Sequence, residues 1–313
     1  MSSVLTIVAP VFGLIMIGYV SGRFELISTA AAKGISDFAF TLAIPALLCR
    51  TVASADLGSL SPLGVLGSFY GAGFSTWALA ALLTVFLLKR SAADGPAIGM
   101  ASTFGNSVML GIPLSMGVYG SAATPIIALI LSIHAPIWWL TGMLHASAAS
   151  DHAGSSPWII IKSTLSDLVH NPIVIGIIVG ALWRLTGVPL PGAIDRLLEL
   201  MAHAGVPTAL VALGLSLVNF AIKGQIPTLV AITVLKLLWM PAIAWLLATY
   251  VLQVDATTRG VVTIMAAMPT GANAFLFAVR LNRAIDSTSG AVALGSLLAA
   301  GTAALLVGAL HVP

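Results

Sequence analysis

Two stretches of this chain carry residue types, at a spacing, that could do chemistry. The first reads Thr103-Phe104-Gly105-Asn106-Ser107-Val108-Met109-Leu110-Gly111-Ile112-Pro113. The second reads Ala266-Ala267-Met268-Pro269-Thr270-Gly271-Ala272-Asn273-Ala274-Phe275. Each sets Gly, Pro and an Asn amide in the middle of apolar sequence. Proline removes a backbone donor and clashes with the preceding turn, and glycine lets the chain unwind. A helix broken this way exposes amides and carbonyls, and the half-helix that restarts presents unpaired N–H groups at its positive dipole end. Two such ends meeting near the middle of a membrane suit an anion, and Asn can both donate and accept there. The alternative is a pair of kinked helices whose small residues permit close packing.

The elements that hold these breaks must lie in a membrane. The 313 residues include thirteen Lys+Arg and ten Asp+Glu, 7% charged, against 59% hydrophobic and a mean hydropathy of +1.08. A soluble domain has roughly 25% charged residues, so a water-soluble globule is excluded. The apolar character runs from end to end, which also excludes a soluble enzyme with one anchor. The net charge of +3 and pI near 9.2 do not signal nucleic-acid binding. No basic run exceeds Lys89-Arg90, and that pair flanks an apolar span. One cysteine, Cys49, excludes a disulfide framework and a cysteine metal site, and neither metal nor cofactor is expected. Met1 to Pro10 lacks the basic n-region of a cleaved signal, so the first helix is expected to stay.

Apolar stretches bounded by charge, Gly or Pro predict ten spans: 3–21, 34–53, 62–88, 96–117, 121–146, 168–186, 202–221, 226–251, 259–279 and 287–311. Backbone amides in hydrocarbon must be satisfied within their own segment, so the fold class is an all-α polytopic membrane protein. The longest polar linker, His145 to Lys162, divides it into a first half at 1–146, a linker at 147–167 and a second half at 168–313. Loops on one side carry Arg23, Lys33, Lys89, Arg90, Lys162, Lys223, Arg280 and Arg283; the other side carries Arg50, Arg184, Arg196 and Arg259. The excess puts the first group and the linker in the cytoplasm and both termini outside, in a cell (inner) membrane. Five spans per half then give the second half the opposite orientation to the first.

That parity is what an inverted repeat needs, and matching features recur in order. Pro45-Ala46-Leu47-Leu48 resembles Pro207-Thr208-Ala209-Leu210 at an offset of 162, and Pro62 and Pro227 open spans 3 and 8 at an offset of 165. Gly105-Asn106-Ser107 resembles Ala272-Asn273-Ala274 at an offset of 167.

The chain resembles bacterial members of the auxin efflux carrier family, related to plant PIN-FORMED carriers and, remotely, to bile-acid sodium symporters. The resemblance rests on Phe104 to Pro113, Asn171-Pro172, Met268 to Asn273, the Pro45 and Pro207 helices, and Pro10 to Gly18-Tyr19. It implies two inverted five-helix repeats with spans 4 and 9 broken and crossing. Spans 1, 2, 6 and 7 would be a scaffold that mediates a homodimer, and spans 3–5 and 8–10 a transport domain moving like an elevator. The implied cargo is a small organic anion, with malonate- or malate-like dicarboxylates favoured over auxin. By position, Asn106 and Asn273 would flank the substrate carboxylate with Gly105, Ser107, Thr270 and Gly271 around them, and Pro113 and Pro269 would mark the breaks. The long regulatory loop of the plant relatives is absent, since only the short central linker stands there.

Lys236 lies deep in span 8, where a lysine costs at least about 2.5 kcal/mol on insertion scales. Either it serves the anion site as a charge or proton carrier, or it caps carbonyls freed at Pro241 or pairs with a carboxylate. Asp37 and Glu199 correspond under the offset of 162 and are candidate proton or cation sites, though ordinary helix-end carboxylates read the same way. His134 and His203 are candidate proton relays, with a buried, hydrogen-bonded structural role as the alternative for each. Arg50 and Arg184 are expected to snorkel to the interface. Asn171-Pro172 is expected to cap span 6.

Three function classes compete. A secondary carrier explains the parity, the paired breaks and the internal similarity, with the bilayer as its surroundings and a proton as candidate co-substrate. An anion-conducting channel could use the same broken helices. An intramembrane enzyme fits poorly: Ser216 and His203 share one predicted helix too far apart for a dyad, and no mid-span aspartate pair exists. No phosphate-loop motif supports an ATP-driven pump.

Overall fold

The computed structural model describes residues 2–54, 60–149, 170–220, 222 and 224–310. Most of the polar linker, 150–167, lies outside them, although His145 to Ala149 extend a helix rather than open a loop. Among the described residues there is no strand, only helices and one isolated bridge. In chain order the helices are α1 Ser2–Arg23, α2 Thr29–Ser54, α3 Pro62–Phe86, α4 Gly95–Thr103, α5 Ile112–Tyr119 and α6 Thr124–Ala149. They continue as α7 Pro172–Leu185, α8 Gly192–Leu217, α9 Ile226–Val251, α10 Ala256–Ala266, α11 Ala272–Leu281 and α12 Ile285–Ala309. Among the described residues six runs are long and apolar enough to cross a bilayer, and Val8–Arg23, Pro172–Leu185 and Ala272–Leu281 are shorter apolar helices.

The ends follow local chemistry. Ser28, Ser61, Asn171 and Asp255 have extended backbones and accept from amides in the first turns of α2, α3, α7 and α10. Asn171 accepts from Ile173 N at 2.9 Å, with Pro172 at the first helical position, so the expected cap is there. α8 begins at Gly192, well before the predicted start at 202, because its charged first turns have partners: Asp195 and Glu199 face Arg50 of α2. Of the four wide turns of π type among the described residues, three, Ala39–Ala43, Ser107–Gly111 and Leu235–Trp239, end two residues before a proline (Pro45, Pro113 and Pro241), and the fourth, Leu247–Val251, closes its helix. A proline lacks its N–H and collides with the carbonyl four residues back, and a widened turn relieves both.

Two helix pairs meet backbone to backbone. A Cβ on Gly214 of α8 would lie 2.0 Å from the Ile15 carbonyl oxygen of α1, and one on Gly18 would lie 2.2 Å from the Val211 carbonyl oxygen. Likewise, Cβ atoms on Gly176 and Gly180 of α7 would each fall 2.5 Å from carbonyl oxygens of α2, those of Pro45 and Cys49. Small residues four apart are how helices approach closely where no hydrophobic effect drives them together. Elsewhere side chains fill the gap: Trp77 of α3 stacks on Trp138 of α6 with centroids 5.9 Å apart.

Candidate functional site

The two broken stretches meet. α4 stops at Thr103 and the chain resumes helical turns at Ser107; α10 stops at Ala266 and α11 starts at Ala272. Between the stops the unwound segments run antiparallel, bridged at Gly105 and Thr270. Asn106 N donates to the Pro269 carbonyl at 2.7 Å, and Gly271 N donates to the Phe104 carbonyl at 2.9 Å. The Thr270 hydroxyl donates to the Ala101 carbonyl at 2.8 Å, which ties the second segment to the end of α4. Gly and Pro therefore do two things here. They end the helices, and they leave room: a Cβ on Gly271 would sit 3.0 Å from the Gly105 carbonyl oxygen.

Beyond the bridge both chains turn into helix without a side-chain cap, at Asn106 for the Ser107 turn and at Gly271 for α11. The first-turn amides there lack the usual partner. Asn106 is buried and its side chain has no hydrogen bond among the described residues, and the buried Ser107 hydroxyl likewise has no partner. Asn273 differs, being exposed on α11. Polar groups at a dipole-positive break can hold a carboxylate by charge-assisted hydrogen bonds. Pro269 lies in the crossing itself, whereas Pro113 falls inside the first turn of α5, beyond the break.

Lys236 reaches this crossing. It is 1% exposed, and its Nζ donates to the Ala266 carbonyl at the end of α10 and to Met240 Sδ at 3.3 Å. The expectation that it would cap carbonyls freed at Pro241 or pair with a carboxylate is not met: its acceptor belongs to the other helix, and it has no ion pair among the described residues. A Cβ on Gly105 would lie 3.2 Å from Lys236 Cε and 3.3 Å from Nζ, so the glycine admits the amine against the crossing backbone. His134 is buried with its ring 4.7 Å from that of Phe104. Neither ring nitrogen has a partner among the described residues, so the hydrogen-bonded structural histidine is not seen there.

The remaining candidates lie apart. Asp37 is exposed on α2. Glu199 belongs to an ionic cluster in which Arg50 Nε contacts Asp195 at 2.7 Å, Arg196 contacts Glu199 at 2.6 Å and His203 lies 3.9 Å from Glu199. Arg50 thus joins α2 to α8 instead of reaching for the interface. This cluster borders a cavity of about 880 Å³ whose walls include Arg50, Met116, Glu199, His203, Asp255 and Thr258. Neither asparagine lines it. The Arg50 pairing is invisible in the sequence, because its partners stand about 145 positions away.

Known proteins resemble the whole chain. The model of the membrane transport protein family matches residues 3–307. A Rhizobium meliloti (strain 1021) protein named "Putative malonate transporter" is 23% identical over 303 residues, which is 96% of this chain and 94% of that protein. Auxin efflux carrier component 8 of Arabidopsis thaliana is 23% identical over 350 aligned residues, covering 96% and 95% of the two chains. An uncharacterized transporter of Methanothermobacter thermautotrophicus is 24% identical over 294 residues, 93% of each chain. These relatives are transporters and not enzymes. With a match across nearly its full length, apolar helices long enough to span and two helices broken against each other, this chain belongs to the membrane transport protein family, that of the auxin efflux carriers.

Proposed function

We propose that the protein is a secondary carrier of small organic anions, mono- or dicarboxylates of the size of malonate or malate, working by elevator-type alternating access in the cell inner membrane. The observation that carries this reading is the bridged crossing at Gly105 and Thr270, with uncapped helix starts, the buried Asn106 amide and the unpartnered Ser107 hydroxyl beside it. Asn106 and Asn273 hold the carboxylate, Gly105, Ser107, Thr270 and Gly271 shape the site, and Pro269, in the crossing itself, keeps the second segment unwound. The malonate name of the Rhizobium relative supports a compact dicarboxylate.

The carrier is built from two inverted repeats, 1–146 and 168–313. Supporting this, the backbone-close pairs α1 with α8 and α2 with α7 exchange when spans 1 and 2 are swapped for spans 6 and 7. The paired hydrogen bonds of the crossing have the same two-fold character. Helices α1, α2, α7 and α8 form the scaffold and the dimer contact, and the rest move against them with both termini outside the cytoplasm. Glycine-locked pairs favour a rigid scaffold, since two backbones in contact cannot slide past each other.

Counterflow of labelled malonate in proteoliposomes tests the proposal. Saturable exchange is expected, and Asn106→Ala should lower it about tenfold or more, the cost of losing a hydrogen bond to a charged group. Non-saturating flux would mean a channel. Absence of exchange with malonate, malate and acetate alike would remove the anion-carrier reading.

A further inference from the structure

We propose that Lys236 is the proton site of the transport cycle: its amine takes up one proton as the substrate carboxylate settles at the crossing, and the two charges move together. This deepens, and rests on, the anion-carrier reading.

The amine sits where it can act on the crossing. Its Nζ donates to Ala266, the last residue of α10 before the break, and Gly105 leaves it against the backbone next to Asn106. It also lacks a counter-ion among the described residues. The turn bearing Lys236 packs against its own flanking helix segments and against α3, α4 and α12. In those elements the ionisable side chains are Tyr70, whose hydroxyl donates to the Ile130 carbonyl, and Asp286 in the first turn of α12. α10, which supplies the Ala266 acceptor, adds Arg259 near its start, and α6 adds His134 behind the Phe104 ring. Among the described residues no carboxylate pairs with Lys236.

A buried ammonium without a partner is costly, and so is a buried carboxylate. Each relieves the other, so anion binding and protonation are linked and each favours the other equally. The step balances as Lys236 amine, one proton from solution and one substrate carboxylate giving an ammonium–carboxylate contact. No other bond changes, and both ions leave together on the far side. A monocarboxylate then crosses without net charge, and a dicarboxylate carries one negative charge.

Calorimetric titration of the purified full chain with malonate, in buffers of different ionisation enthalpy between about pH 6 and pH 9, counts the protons taken up. In the wild type the count should approach one per malonate on the alkaline side, with affinity falling about tenfold per pH unit there. Lys236→Arg, which keeps a permanent charge, should bind malonate without proton uptake or pH dependence. Lys236→Met should bind at least about tenfold more weakly and also take up no proton. Proton uptake that persists in both variants assigns the proton elsewhere, with His134 next in place, and overturns the proposal. So does wild-type binding with no proton uptake, a result that decides the matter even where the variants fail to fold. If the wild type binds none of malonate, malate and acetate, the carrier reading itself falls and takes this one with it.

Discussion

Asp255 stands just ahead of α10, outside the apolar spans, and its Oδ1 accepts from the Thr258 amide at 3.0 Å. Burial pushes its carboxyl upward, but hydrogen bonds from Thr258 and the neighbouring amides outweigh this and hold the pKa below the ordinary aspartate value. A depressed pKa means stability that is present above the unfolded value and is lost as pH falls through the folded one. Asp255→Ala should therefore cost roughly 0.5–2 kcal/mol near neutrality, and the gap to wild type should close on acidification. Thermal unfolding in detergent at neutral and acid pH measures both, and Asp255→Asn should retain most of the cap. This cap was open to sequence reading in kind, as Asn171-Pro172 was. The fate of Lys236 was not: its depth followed from the apolar run around it, but its acceptor on another helix did not. Asn106 and Asn273 make the same point, since two asparagines matched in the sequence at an offset of 167 became one buried and one exposed side chain.

Among the elements, the glycines decide how near the helices come. At Gly214 a side chain would meet α1 backbone, which cannot yield, so Gly214→Val should destabilise by about 1–3 kcal/mol or more. Gly13, on the same α1, has nothing within 4 Å of its Cβ position, and Gly13→Ala should leave the melting temperature unchanged or higher, as expected of alanine in a helix. Equal losses from both substitutions would mean that the close approach contributes nothing. Apolar runs bounded by charge gave helix positions to within a few residues in most places, because hydrocarbon requires every amide to be paired inside its own segment. The largest departure was α8, whose polar start at Gly192 to Glu199 reads as loop until Arg50 is seen opposite it.

For the molecule as a whole, the cavity of about 880 Å³ separates walls from two groups of helices: Leu47, Ala202 and Val206 on α2 and α8, and Met116, Ser121 and Ile126 on and around α5 and α6. An elevator requires these walls to move past each other. In a Cys49→Ser background, Ala202→Cys with Ser121→Cys joined by a cleavable bifunctional maleimide should stop malonate counterflow, and cleavage should restore it. Undiminished exchange in the cross-linked protein would exclude relative motion of the two walls. The ionic cluster at one edge of this cavity joins α2 to α8, both in the proposed scaffold, and so leaves that motion unhindered.

Composition alone established an all-helical membrane protein, because 7% charge over 313 residues cannot cover a globule in water. The clustering of Gly, Asn and Pro in two apolar stretches was enough to point to the breaks, since together they disfavour helix, whereas the single prolines Pro10, Pro136 and Pro207 stay inside helices. Sequence could not say which groups the breaks would face. That the broken ends bridge at Gly105 and Thr270, that Lys236 closes on Ala266, and that Arg50 takes Asp195 all depend on residues far apart in the chain. Their meeting is fixed by helix packing, and packing follows from shape at glycine contacts that no local pattern encodes.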